Sequence, residues 1–393
     1  MHKGRLAGLG WLGGKELASD GSTNLGAKDQ RIALQWVAEN IKAFGGDPDK
    51  VTIWGESAGS VSVFNHLIIN GGDNTYNGRP LFRAAIMSSG SSIPAQNVTA
   101  DKAQAIYDLI AEKAGCSGQN SLSCLRNVDT DTFLRAQNAA PDINGYTSLD
   151  VPFLPRPDPS DNFFPISPEV AYKQGHSAKV PIIMGNQEDE GTTFSLASSN
   201  ITTNVEVVDY FAKFFTPTPG SAESIAKYVA TYPDQPLLGQ PAGSPFRTGS
   251  LNNLYPQYKR IAAIHGDSFF TLARRNVLES IASQVPSWSF LASNLHGTPF
   301  LGTPHAADLI YAYGILGPLN IQTVTYQSHL INFVNNLDPN LGKHVTGLID
   351  WPEWTAASRK ILNIATTGNT LLDDTFRQES SDYLGAHASD FRR

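Results

Sequence analysis

The chain has 393 residues, of which 41% are hydrophobic, enough to bury a large core. It carries 29 basic and 36 acidic residues, a net charge of −7, with no run rich in Lys or Arg. This composition argues against nucleic acid as a partner, and no segment is long and apolar enough to cross a membrane. The short, glycine-broken apolar start lacks a small-residue cleavage site, so we expect no signal peptide in this chain.

The first half of the chain alternates helical and strand patterns, which is typical of a parallel sheet with crossover helices. A helix is predicted over 29–44, with an apolar face that includes Trp36 and Phe44. A second helix is predicted over 58–69. Short apolar runs without alternation predict buried strands at 51–54, 84–87 and 180–184. A late strand at the edge of the sheet is predicted at 287–290.

The second half of the chain is mostly helical in pattern. We interpret residues from about 204 to 282 as a helical insertion that packs on the sheet of a single domain covering 1–393. After Asp308, helices are predicted to dominate again.

Residues 55–59 read Gly-Glu-Ser-Ala-Gly, a Gly-x-Ser-x-Gly pattern that is common by chance and needs a structural context. That context is present, because the pattern lies between a predicted strand and a predicted helix. A sharp turn there lifts a serine Oγ clear of the sheet, and the helix N-terminus offers free N–H groups to an oxyanion. We therefore predict that Ser57 is a nucleophile.

A nucleophilic serine needs a base, normally a histidine that a carboxylate orients, and both follow such a serine in the chain. The favoured histidine is His305, in a Gly/Pro loop before a predicted helix, with His265 and His296 as rivals. For the acid, the three adjacent carboxylates of 188–190 directly follow a predicted strand, and chemistry alone does not choose among them.

Two further features bear on the compartment in which the protein works. Cys116 and Cys124 flank a polar, turn-forming stretch, which favours a small disulfide loop over two unpaired thiols. N-glycosylation sequons begin at Asn97 and Asn200. Together these features favour a secreted protein.

The run from 27 to 48, followed by 51–60, resembles the type-B carboxylesterase/lipase (cholinesterase-like) family, and the resemblance extends beyond Trp351-Pro352-Glu353-Trp354. The stretches 73–76 and 270–275 are most similar to the branch of fungal secreted lipases and sterol esterases. The resemblance implies the α/β-hydrolase fold, with a mostly parallel sheet and helices on both faces. It implies neither a metal nor a cofactor.

The motifs of that family also imply roles for single residues. Its Asp-Glu-Gly triplet implies that Glu190 is the acid, and its Gly-x-x-His loop implies that His305 is the base. The N–H of Ala58 corresponds to the first oxyanion donor, and the family's short disulfide loop matches 116–124. Phe194 either lines an acyl pocket or is an ordinary core aromatic.

Members of the family carry a substantial stretch before sequence like that of 4–10. It holds early strands, a second disulfide, a lid in the lipases and the Gly-Gly-Gly loop that completes the oxyanion hole. Here only Gly-Gly pairs occur, outside that context, so we expect an N-terminally truncated sequence that lacks the early strands.

The resemblance implies an extracellular ester hydrolase that acts on small-molecule or lipid esters. Acylglycerols or sterol esters are the expected substrates, with contact to a lipid interface. The alternatives are a carboxylesterase for small esters and a catalytically inactive, cholinesterase-like binding module.

Overall fold

A computed structural model describes residues 4–215, 221–235, 251–342, 345 and 348–393. Its strands are β1 (Thr52–Glu56), β2 (Thr75–Tyr76), β3 (Arg79–Pro80), β4 (Ala84–Ser88), β5 (Ile182–Gln187), β6 (Ser287–Ser293), β7 (Lys360–Ala365) and β8 (Thr370–Asp373). Within these residues, six strands form the main sheet in the order β1-β4-β5-β6-β7-β8. Neighbouring strands from β1 to β7 pair in parallel, and β8 pairs antiparallel to β7. The mostly parallel sheet that the sequence predicts is confirmed.

The helices before β5 are α1 (Ala7–Trp11), α2 (Lys15–Asp20), α3 (Leu25–Asn40), α4 (Ala58–Ile68), α5 (Asp101–Lys113), α6 (Ser121–Asn127), α7 (Thr130–Gln137) and α8 (Pro168–Lys173). Those after it are α9 (Asn204–Phe214), α10 (Ser221–Ala230), α11 (Tyr258–Gly266), α12 (Leu272–Ile281), α13 (Leu309–Ala312), α14 (Ile321–Asn336) and α15 (Gln378–Ala386). Apolar clusters lie on both faces of the sheet, one under α4 and α12 and the other under α14.

The chain from 204 to 282 contains α9 to α12, with a π-helical turn at Asp267–Thr271 between the last two. The first of these helices, α9, begins with a capping box, in which the side chains of Thr203 and Glu206 each accept a hydrogen bond from the other residue's main-chain N–H. Side chains from α9 to α12 form a buried cluster of their own, rich in tyrosine and phenylalanine. This helical layer follows the loop that leaves β5 and borders the carboxyl ends of the strands.

Two details of the predicted elements are wrong. The predicted strand at 287–290 is β6, which lies between β5 and β7 and is buried along its whole length, not at an edge. The sequence analysis missed β7 and β8, because the polar Asn363 interrupts the apolar run of β7. That side chain is buried and accepts a hydrogen bond from Ser293 Oγ at 2.8 Å, so β7 has the burial of an interior strand despite its polar residue.

The apolar face assigned to the 29–44 helix is also wrong in part. Trp36 is 49% exposed and Phe44 is 71% exposed, and their rings pack on each other with centroids 5.7 Å apart. The side of α3 that faces the core carries Ala27, Leu34 and Ala38 instead. These residues lie at spacings of seven and four, the periodicity of one helix face.

The structure contains the predicted disulfide between Cys116 and Cys124, which joins the end of α5 to α6. Asn97 and Asn200 of the two sequons are exposed, as an attached glycan would require. Among the described residues, no helix combines the length and apolar character needed to cross a membrane.

Candidate active site

The turn between β1 and α4 holds Ser57 in a strained backbone conformation, with φ +56° and ψ −121°. Its N–H donates to the Ser88 carbonyl at 3.0 Å, which fixes the turn to the end of β4. Gly55 makes the turn possible, because a Cβ there would lie 2.2 Å from the carbonyl carbon of Gly59. Strain held in place by such packing is typical of a functional serine at a strand-to-helix turn.

The side chains of Ser57, His305 and Glu190 form a continuous hydrogen-bonded line. His305 Nε2 lies 2.7 Å from Ser57 Oγ, and His305 Nδ1 lies 2.6 Å from Glu190 Oε2. The other oxygen of Glu190 accepts the N–H of Gln187 at 2.7 Å, so this buried carboxylate is held in one orientation. The three residues follow β1, β6 and β5, and so meet at the carboxyl edge of the parallel sheet.

The three carboxylates of 188–190, which chemistry alone did not separate, have different partners. Glu188 lies 3.0 Å from Nδ1 of the partly exposed His296. Asp189 accepts the N–H of Thr303 at 2.9 Å, and Glu190 contacts His305. Glu190 is therefore the carboxylate placed to orient the histidine beside Ser57.

The rival histidines lie elsewhere in the structure. His265 is fully buried in α11, where its Nε2 is 3.3 Å from the hydroxyl of Tyr210. His296 is paired with Glu188. Neither contacts Ser57 in the described structure, whereas His305 does.

Two glycines let the acid loop and the histidine loop pack closely. Gly302 has φ +60°, and a Cβ there would lie 2.0 Å from Asp189 Oδ2. A Cβ on Gly191 would lie 1.9 Å from the carbonyl oxygen of Ala262 in α11. Each residue of the Asp-Glu-Gly triplet thus has its own contact. Asp189 binds the histidine loop, Glu190 binds His305, and Gly191 lets α11 pack closely against the acid loop.

Further carboxylates shape the charge around His305. Burial lowers the pKa of His305, whereas the charge and hydrogen bond of Glu190 raise it, and the net pKa of the histidine is above its usual value. Glu56 Oε1 lies 3.3 Å from His305 Nε2, and this carboxylate and that of Asp308 raise the histidine pKa further. Burial raises the pKa of Glu56 to about 7 and that of Asp308 to about 6.

Sequence reasoning did not assign a role to Glu56. Its position directly before the nucleophile, in the turn between β1 and α4, could have indicated one, because this position brings the Glu56 side chain to the same edge of the sheet. Asp308 is fully buried and receives a hydrogen bond from the hydroxyl of Tyr326 at 3.1 Å. The site therefore contains a histidine with three carboxylates around it.

The predicted oxyanion donor and pocket residue are both near the line of three side chains. Ala58 is the first residue of α4, so its N–H is among the free donors at the helix start. Phe194 packs against the ring of His305 with centroids 5.0 Å apart, and Phe270 lies 4.8 Å away on the same ring. The two phenylalanines stack on each other and form an apolar wall beside the histidine.

The arrangement provides a hydroxyl, a base and an oriented carboxylate. Within the described residues, no group of three or more His, Cys, Asp or Glu side chains is placed to hold a metal ion. The chemistry available to the site is that of an activated serine and general acid–base catalysis.

Comparison with known proteins places the chain in a family. The model of the Carboxylesterase family matches residues 4–383. The chain is 46% identical over 391 residues to Secreted lipase 1 of Botryotinia fuckeliana, covering 98% of this chain and 66% of that protein. It is 45% identical over 389 residues to Secreted triacylglycerol lipase LIP1 of Gibberella zeae, covering 98% of this chain and 64% of that protein.

A solved structure shows the same architecture. The crystal structure of Aspergillus niger EstA superposes with a TM-score of 0.78 at 25% identity and covers 100% of this chain and 74% of that one. The fold is therefore the α/β-hydrolase fold. The chain spans slightly less than two thirds of the length of the two secreted lipases that it matches.

Proposed function

Because the chain belongs to the carboxylesterase family, we propose that it is a serine ester hydrolase with a Ser57–His305–Glu190 triad. The observation that carries the proposal is the hydrogen-bonded line of these side chains, with contacts of 2.7 and 2.6 Å. Such a line is the geometry that activates a serine hydroxyl.

The proposed reaction is acyl transfer to water in two steps. His305 Nε2 takes the Ser57 hydroxyl proton as Oγ attacks the ester carbonyl, then gives it to the departing alcohol. Water next attacks the acyl-enzyme, its proton passing to His305 and then to Ser57 as the acid leaves. Glu190 holds the proton on Nδ1 and stabilises the imidazolium, while the Ala58 N–H donates to the oxyanion.

We propose lipid esters, either acylglycerols or sterol esters, as substrates. Two relatives are named as secreted lipases, one of them as a triacylglycerol lipase. The segment 313–321, which follows His305 and α13, exposes Tyr313, Ile315 and Leu319, the last at 94%. An exposed apolar segment beside a catalytic loop suits contact with a lipid interface.

An extracellular location is part of the proposal. Its support is the secreted relatives, the disulfide and the exposed asparagines of both sequons. A mass measurement of the protein secreted by a fungal host, before and after treatment with an N-glycosidase, tests whether Asn97 and Asn200 carry glycans.

A fluorophosphonate probe tests the nucleophile directly. The protein should take up one probe per chain, and Ser57→Ala should abolish both the label and the hydrolysis of nitrophenyl esters, the latter by a factor of about 10⁴ to 10⁶. Ser62→Ala, one turn further along α4, is the matched control and should retain both.

The results of these measurements distinguish the proposed hydrolase from a binding module and from a small-ester carboxylesterase. A label that persists in Ser57→Ala contradicts the triad, and a folded protein with neither label nor hydrolysis supports a binding module. Rates on butyrate and palmitate esters distinguish a lipase from a small-ester carboxylesterase, since a small-ester enzyme prefers the butyrate.

A further inference from the structure

Arg393 is a buried cation that packs on two phenylalanine rings. It is 2% exposed, and its guanidinium carbon lies 3.4 Å from the centroid of the Phe269 ring and 5.1 Å from that of Phe215. The rings attract the charge but supply no oxygen acceptor to its N–H groups. The Nε and Nη1 atoms of Arg393 are buried and have no hydrogen-bond partner among the residues that the structure describes. Buried polar groups are ordinarily paired, so these two nitrogens point to an acceptor from outside the chain.

The arginine lines a small cavity whose wall carries hydrogen-bond donors. The cavity has a volume of about 20 Å³, enough for one particle of the size of water. Ser92 lines it as well, and its buried hydroxyl has no partner within the described parts of the chain. Asn276 of α12 adds an amide, whose oxygen accepts a hydrogen bond from Ser381 Oγ at 3.5 Å. The residues that the structure places around the cavity include no Asp or Glu.

The carboxylate that attracts Arg393 is shared with other cations. It belongs to Asp150, which also attracts Arg156 and forms an ion pair with Lys102. Three positive charges thus depend on one negative charge. The segments outside the described residues contain no Asp or Glu in their sequence, so they add no carboxylate that could balance the difference.

Two further carboxylates lie near this cavity, and both are engaged elsewhere. The charges of Glu169 and Glu279 act on Tyr172, a residue of the cavity wall. Glu169 forms an ion pair with Arg392 at 2.6 Å, and Glu279 forms one with Arg359 at 3.0 Å. Neither has a hydrogen bond to Arg393 in the described structure.

The guanidinium of Arg393 nevertheless keeps its charge at neutral pH. Burial lowers the pKa of Arg393 to about 9, partly offset by Asp150. A buried charge without a counter-charge is costly, and a water molecule in the cavity satisfies the donors but does not neutralise the charge. An anion does both.

We propose that this cavity is a binding site for one chloride ion, held by the guanidinium of Arg393 and the hydroxyl of Ser92. The volume suits a monatomic ion and is too small for sulfate or phosphate. Main-chain hydrogen bonds already join Arg393 to Pro94 at 3.2 Å and to Gln96 at 2.9 Å, and the ion adds a side-chain link to the same loop. The site stabilises the fold and takes no part in the reaction at Ser57, so it goes beyond the proposed function.

Melting temperatures in sodium chloride and in sodium gluconate at equal ionic strength test the proposal, because gluconate is too large for the cavity. Chloride should raise the melting temperature by about 2–3 °C, the shift for a ligand near 100 times its Kd in a chain of this size. Arg393→Met should lose this shift. The matched control Arg392→Met, which removes only a partly exposed ion pair with Glu169, should retain it.

The variants distinguish a bound ion from a general effect of salt. A shift of the same size in Arg393→Met overturns the proposal. If Arg393→Met does not fold, Ser92→Ala removes one donor and leaves the charge in place. It should raise the chloride concentration needed for half of the shift by about 10-fold, the effect of losing a hydrogen bond to a charged group. An unchanged concentration contradicts the site.

Crystals grown in bromide locate the ion directly by anomalous scattering. A bromide peak within hydrogen-bond distance of the Arg393 guanidinium and of Ser92 Oγ is expected. A water molecule there in place of bromide overturns the proposal. A bromide peak without any chloride-dependent shift in melting temperature means an adventitious ion only, and it overturns the proposal too. Neither measurement involves ester hydrolysis, so failure of the chloride site and failure of the proposed hydrolase are separate results.

Discussion

Asp189 and Thr303 exchange two hydrogen bonds that join the acid loop to the histidine loop. The Asp189 side chain accepts the Thr303 N–H at 2.9 Å, and the Asp189 N–H donates to the Thr303 carbonyl at 3.0 Å. Thr192 Oγ1 adds a third contact, to the Leu301 carbonyl at 2.9 Å. The distance between Glu190 and His305 is therefore set by the neighbours of these residues as well as by their own contact.

Removing the Asp189 carboxylate should loosen this junction. Asp189→Ala leaves the Thr303 N–H without its charged acceptor, and we expect the free energy of unfolding to fall by about 1.5–3 kcal/mol. The value of kcat/KM should fall as well, because His305 is held less firmly. Urea unfolding and ester hydrolysis measure the two effects.

The control for this change is Asp209→Ala, which removes an exposed aspartate from α9. Both variants lose one negative charge, so a general charge effect would affect them equally. Unchanged stability in Asp189→Ala would show that the junction does not depend on this carboxylate.

A pair of glycine variants separates crowding from backbone strain. Gly302 and Gly297 both have positive φ, but a Cβ on Gly302 would meet Asp189 at 2.0 Å, whereas a Cβ on Gly297 faces open space. Gly297→Ala should cost only the strain, about 1–2 kcal/mol, and leave kcat unchanged. Gly302→Ala should cost more and lower kcat. Equal losses in the two variants contradict the close packing of the loops.

The general position of the site could be predicted from the sequence, because the elbow depends on a local pattern. A glycine, a serine and a glycine between an apolar strand and a helix determine the turn without long-range information. The choice of Glu190 and His305 came from family resemblance. Their juxtaposition depends on residues 115 positions apart in the chain, which local patterns do not encode.

The errors in the predicted fold have the same origin. An apolar residue on a helix predicts burial only if another element covers it, and the structure leaves Trp36 of α3 half exposed. Conversely, Asn363 looked unsuited to an interior strand, yet Ser293 of β6 supplies its partner.

Glu190→Gln tests the orienting carboxylate without changing its size. An amide can turn its NH₂ group toward His305 Nδ1, which favours the tautomer with the proton on Nε2 and removes the base from Ser57. We expect kcat to fall by up to about 10⁴-fold with little change in KM. Steady-state kinetics measure this, with Glu112→Gln on the exposed face of α5 as control. A fall of less than 10-fold argues against Glu190 as the orienting residue.

Glu56→Gln should shift the pH profile of the reaction. The Glu56 carboxylate raises the pKa of His305, and the histidine must be neutral to act as a base. Removing that charge lowers the histidine pKa, so the acid limb of kcat/KM should move to lower pH. Because Glu56 has a pKa of about 7, Glu56 and His305 titrate over the same pH range in the unmutated protein. In Glu56→Gln, the acid limb should show the single ionisation of His305.

The control is Glu353→Gln, which removes an exposed carboxylate and should leave the profile in place. A shift of the acid limb to higher pH in Glu56→Gln would contradict the direction given by the geometry. No shift at all would mean that Glu56 does not act on the protonation of His305.

The Cys116–Cys124 bridge should stabilise the fold independently of the catalytic line. It joins residues eight positions apart, and a loop of that length is expected to contribute about 2–3 kcal/mol by restricting the unfolded chain. Replacing both cysteines with alanine should lower the free energy of unfolding by that amount in urea titrations. Addition of a reductant should destabilise the unmutated protein similarly and leave the double variant unaffected. If the double variant is as stable as the unmutated protein, the bridge does not contribute to the stability of the fold.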